Sequence, residues 1–137
     1  MKIKNIELLS MMQILNKYST KKLPQKISYL IVKNALNIQG DVDCYTKMLN
    51  KIIETYKDFI IKNDKGEYTY TATGIPQVDD EHMSDYIAEI NELLNIEVEI
   101  KLSTVDDISI FDYSDDKYDI LTPREIMQLQ SILCKKE

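Results

Sequence analysis

Apolar residues recur at helical spacing along most of the chain. Leu8, Met11, Met12 and Leu15 mark one face of a helix over about residues 5–18. The segment STKKLP breaks it, and Pro24 suits the first turn of a second helix, where its missing N–H costs nothing. Ile27, Leu30, Ile31, Ala35 and Ile38 carry that helix to about residue 38, and Gly40 reads as its stop. Asp41 or Asp43 then caps a third helix, in which Val42, Tyr45, Leu49, Ile52, Ile53, Tyr56 and Ile60 keep the period.

The period changes near residue 61. IIKNDKGEYTYTAT places a turn cluster between β-prone flanks and predicts a hairpin, followed by a loop, TGIPQVDDE. Asp79 or Asp80 caps a further helix with Met83, Tyr86, Ile87, Ile90, Leu93 and Leu94 on one side. IEVEIKL alternates, with Ile96, Val98, Ile100 and Leu102 on one face, as a half-buried strand does. DISIF reads as another short strand and YSDDKYD as an acidic loop. Thr122, Pro123 and Glu125 form the capping-box start of a last helix. The expected fold is α+β: an N-terminal layer of three helices, then a small antiparallel or mixed sheet with two further helices. One domain is expected over residues 1–137, helical and basic in 1–60, α+β and acidic in 61–137.

Composition sharpens this picture. The chain has 137 residues, only three Gly and three Pro, and no Trp, which argues against a loop-dominated all-β fold. The net charge of −6 is unevenly spread: residues 1–65 hold 12 Lys against 6 Asp or Glu, and residues 66–137 hold 5 Lys or Arg against 17 Asp or Glu. The first twenty residues contain no uninterrupted apolar core or small-residue cleavage site, so they are not read as a signal peptide. No apolar run approaches the roughly 20 residues of a membrane span. Cys44 and Cys134 are read as reduced thiols of a cytoplasmic chain.

The chemical inventory is thin. There is one histidine, His82, and one arginine, Arg124. Gly40, Gly66 and Gly74 make no phosphate-cradling loop. His82 is read as a solvated residue. Asp112, Asp115, Asp116 and Asp119 lack the glycine and alternation of a calcium loop and read as a solvated, mobile loop. We therefore expect no enzyme activity, no metal and no cofactor. In KKLPQKISYLIVKN, Lys22, Lys26 and Lys33 fall within about 60° on a helix, close to Tyr29. Such a face could meet a nucleic-acid backbone, but this half of the chain has no arginine, and a wet helix face is the better reading. Glu81, Asp85, Glu89 and Glu92 form a mirror-image acidic row, roughly one charge per 6 Å. With Glu97 and Glu99 they make a candidate partner-binding surface that could imitate a phosphate backbone.

The segments KLPQKISYLIVKN, Lys22 to Asn34, and ELLNIEVEI, Glu92 to Ile100, carry a resemblance to a family of small phage- and prophage-encoded proteins of Gram-positive bacteria. The likeness spans most of the chain except residues 61–80 and 106–120. It implies a genetic setting and transfers no catalytic motif. The function expected is that of a non-enzymatic accessory protein in the host cytoplasm. It would bind a host protein and inhibit a nucleic-acid-handling immunity enzyme, as an anti-CRISPR does, without touching nucleic acid or membrane itself. The alternative is a phage tail or morphogenesis component, and homo-oligomerisation stays open.

Overall fold

The computed structural model describes residues 1–134. Its elements in chain order are β1 (Lys2–Lys4), α1 (Asn5–Ser19), α2 (Gln25–Thr55), α3 (Asp80–Leu94), β2 (Glu97–Glu99) and α4 (Pro123–Leu133), with 3-10 turns at Lys57–Phe59 and Ile108–Phe111. The class is α+β, with four α-helices and a two-stranded antiparallel sheet. Two compact units divide the chain: Met1–Val42 together with the residues from Glu97 onward, and Asp43–Ile96.

The expected layer of three N-terminal helices is corrected to two. Gly40 does not end a helix; α2 runs through it for 31 residues. A lone glycine inside a helix costs only about 1 kcal/mol relative to alanine. The apolar stripe keeps its phase across it, from buried Ile31 and Ile38 to half-buried Val42 and buried Tyr45. Asp41 and Asp43 are therefore interior helix residues and not caps.

In the first unit the core gathers Leu8 and Leu15 of α1, Ile27, Ile31 and Ile38 of α2, and Leu129 and Leu133 of α4, all essentially inaccessible. The Tyr18 hydroxyl donates to Gln128 Oε1 at 2.7 Å. Glu7 opens α1 by accepting the Lys4 N–H at 3.2 Å. The predicted capping box of α4 is present: Thr122 Oγ1 accepts from the Glu125 N–H, and Glu125 Oε1 accepts from the Thr122 N–H. The strand expected over 96–102 shortens to Glu97–Glu99, because its partner β1, to which the sequence pattern assigns no element, is only three residues long. In register, Lys2 faces Glu99, Ile3 faces Val98 and Lys4 faces Glu97. Farther on, the fully buried Asn34 takes the place of a strand: its Oδ1 accepts from the Ser103 N–H at 2.6 Å and its amide donates to the Ser103 carbonyl at 2.9 Å. DISIF is a 3-10 turn and not a strand, since Asp107 Oδ1 captures the Ser109 N–H at 2.8 Å.

The second unit packs Ile60, Val78, Tyr86 and Ile90 with partly buried Leu49, Ile52, Ile53 and Tyr56. Asp79 caps α3 by accepting the His82 N–H at 3.0 Å. The hairpin expected after residue 61 is a tighter object. Bridges join Lys62 to Tyr68, Tyr70 to Pro76 and Ile60 to Val78, so three short segments pair in turn. Their hydrogen bonds close a ring: Ile61 N–H to Gln77, Gln77 N–H to Thr69, and Thr69 N–H to Ile61. Gly66 and Gly74 supply the positive φ angles, 78° and 85°, that its two tight turns require.

Candidate functional site

The amphipathic period of α3 determines what it shows to solvent. Tyr86, Ile90 and Leu93 are buried, which leaves Glu81, Asp85, Glu89 and Glu92 exposed on the other side. None of these four carboxylates forms an ion pair with lysine or arginine among the described residues. Their field is felt by Tyr56. Interaction of its hydroxyl with Glu89, then burial, then the charges of Glu89 and Asp85 push the phenol up to about 12.

Beside the row lies an apolar hollow of about 210 Å³, lined by Met48, Ile52, Leu93 and Ile96 and rimmed by Glu89 and Glu92. Met48 and Ile96 are 43% and 48% exposed, which leaves the hollow open. The shape suits a long basic side chain, whose methylene stem covers apolar surface while its charged head meets carboxylates. Sequence reasoning missed this hollow and the Tyr56 contact. One signal was available: Met48 stands three residues after Tyr45 and four before Ile52, at the edge of the apolar stripe of α2.

Glu97 and Glu99 do not belong to the unit that carries the row. They lie on β2 in the first unit, across from Lys4 and Lys2. Glu99 also binds the Met1 amino group at 2.8 Å, which holds its carboxyl below the usual range. The six predicted residues thus divide into an unpaired set of four and a locally countered pair.

His82 is not the solvated residue expected. Its ring stacks on Phe59 with centroids 3.6 Å apart, and its Nδ1 lies 2.7 Å from Asp79 Oδ1. A histidine oriented by a carboxylate is half of a catalytic arrangement, yet both cysteines lie outside this unit's core: Cys44 is exposed on α2, and Cys134 is buried in the first unit, where burial raises its thiol. The 112–119 loop is also more anchored than expected. Asp119 Oδ2 accepts the Lys22 N–H at 2.8 Å, its own N–H donates to the Lys22 carbonyl, and the Tyr113 hydroxyl donates to the Asp119 carbonyl. Lys22, Lys26 and Lys33 are exposed, and the Lys33 ammonium lies 5.8 Å from the centroid of the exposed Tyr29 ring. Among the described residues no three His, Cys, Asp or Glu side chains gather as metal ligands, and no helix is long and apolar enough to cross a membrane.

Charge divides differently between the units than between the sequence halves. Asp43–Ile96 holds 5 Lys and 11 Asp or Glu, so the whole net charge of −6 belongs to the second unit and the first is neutral. No protein-family model, no curated protein and no solved structure matches the chain.

Proposed function

We propose that this is a non-enzymatic binding protein whose α3 face docks on a basic protein surface. In the genetic setting implied by the resemblance, it acts as a phage or prophage accessory factor. Its partner there is a nucleic-acid-handling immunity enzyme of the host, inhibited in the manner of an anti-CRISPR. One observation carries the reading: α3 shows four exposed carboxylates that form no ion pair with lysine or arginine among the described residues, and two of them, Glu89 and Glu92, border an open apolar hollow. Interfaces place an apolar anchor at the centre and charge at the rim, and complementary charge speeds encounter. Concentration of the net negative charge in the second unit supports the same reading.

The test is affinity capture from a Gram-positive host lysate, with the native chain and a variant carrying Glu81→Gln, Asp85→Asn, Glu89→Gln and Glu92→Gln run side by side. The expected result is a basic, nucleic-acid-handling protein enriched on the native chain and lost on the variant. Equal recovery on both would refute docking through α3. Recovery of virion proteins alone would favour a tail or morphogenesis role.

A further inference from the structure

The loop from Tyr113 to Ile120 folds around a hollow of its own. Tyr113, Ser114, Asp115, Asp116, Tyr118 and Ile120 enclose about 320 Å³, and all six belong to the first unit. The two tyrosine rings meet as the walls of a corner, with centroids 5.6 Å apart and planes at 77°. The corner is held in place. The Tyr113 hydroxyl donates to the Asp119 carbonyl at 2.8 Å, and Asp119 is itself tied to the Lys22 backbone by its N–H and its carboxylate. The Tyr118 N–H donates to the Asp115 carbonyl at 3.1 Å and closes the turn between the rings. Burial, then the charges of Asp119 and Glu125, push the Tyr113 phenol up, so this wall is partly dry and lies in a negative field. The loop already holds one cation against an aromatic ring: the Lys117 ammonium lies 5.1 Å from the Tyr118 centroid and 3.9 Å from Asp115. Lys117 does not line the hollow, and Asp116, which does, has no ion-pair or hydrogen-bond partner among the described residues.

We infer that this hollow binds a trimethylammonium group, the head of choline or of a trimethylated lysine side chain. A cation is attracted to the negative face of a tyrosine ring, and two rings at nearly a right angle offer such faces on two sides of one guest. Asp116 supplies the uncountered negative charge that a monocation matches. The walls select a methylated ammonium over a bare one. The rings and the Ile120 side chain, which is 91% exposed, give an N–H group no strong acceptor, so a primary ammonium seated among them loses water that they do not replace. A trimethylammonium has no N–H to satisfy, and its methyl groups pack on the same walls. The volume lies at the lower end of the roughly 300–1,000 Å³ usual for ligand pockets, which suits a headgroup and not a large ligand.

NMR titration of the full chain at constant ionic strength tests this, with the ring signals of Tyr113 and Tyr118 as the readout and far-UV circular dichroism to confirm that each variant stays folded. The probes are choline, acetylated trimethyl-lysine, and 3,3-dimethylbutan-1-ol, the uncharged carbon copy of choline. Choline or trimethyl-lysine is expected to saturate both ring signals in the millimolar range, and the tighter of the two names the carrier of the group. The uncharged copy should bind about tenfold more weakly, since it loses both the ring and the carboxylate attraction. Tyr118→Leu and Asp116→Asn should each weaken binding about threefold or more. Tyr118→Phe keeps the ring and should bind as the native chain does, which separates the role of the ring from that of the hydroxyl. No saturation by about 100 mM of either cation, a concentration at which even a very weak site fills, would overturn the inference. So would equal affinity for choline and its uncharged copy, or Tyr118→Phe and Tyr118→Leu variants that bind alike.

Discussion

Tyr56 is the most direct reporter of the acidic face. Its phenol is raised to about 12, chiefly by its interaction with Glu89 and then by burial and neighbouring charge. Glu89→Gln keeps an acceptor of similar shape but removes the negative charge. The Tyr56 titration should then fall back toward the ordinary tyrosine value. Residue-resolved NMR of the ring carbons against pH reads this among the nine tyrosines. An unchanged Tyr56 curve would mean that burial, and not Glu89, holds it. Asp79 offers a pH test of the opposite sign. The hydrogen bond from His82 holds its carboxyl below the ordinary value of 3.8. A depressed folded-state value means that the bond stabilises the fold fully above 3.8 and is lost as pH falls through the lower, folded value. Protection of the His82 amide from solvent exchange should therefore drop in that acid window. Asp79→Asn should remove the pH dependence, and an identical acid response in the variant would exclude Asp79 as its source.

At the scale of elements, local chemistry was legible and pairing was not. Thr122, Pro123 and Glu125 announce α4 because every partner in a capping box lies within three residues. Asp79 announces α3 for the same reason. β1 stayed hidden because its pairing partner, β2, lies more than ninety residues away. Gly40 is a stop signal only locally; the buried stripe on both sides of it outweighs that signal, and α2 runs through. The acidic row could be read from spacing alone, but the hollow beside it could not, since Met48 and Ile96 come together only through the fold. Two substitutions follow. Thr122→Ala should cost about 1 kcal/mol in chemical denaturation, the usual loss of an N-cap; no loss would mean that Pro123 and Glu125 suffice. Gly40→Ala meets open space, so in dilute solution it should stabilise the folded chain by roughly 0.5–1 kcal/mol. Destabilisation would point to a helix that bends at Gly40.

For the molecule as a whole, charge distribution is the property with functional reach. The division by sequence, basic then acidic, is recast by the fold into a neutral unit and a unit that carries the full net charge of −6. In the proposed function that field steers a basic partner toward α3, and the apolar hollow holds it. Steering charges act on association, and salt screens them over about 8 Å at physiological ionic strength. The decisive measurement is the association and dissociation rate of the captured partner, at low and high salt, with the native chain and with the variant neutralised at Glu81, Asp85, Glu89 and Glu92. The account predicts native association that slows about tenfold or more as salt rises. It predicts variant association that is slow at every salt concentration, and dissociation rates that change far less. Equal association of native and variant chains at low salt, with both folded, would contradict it.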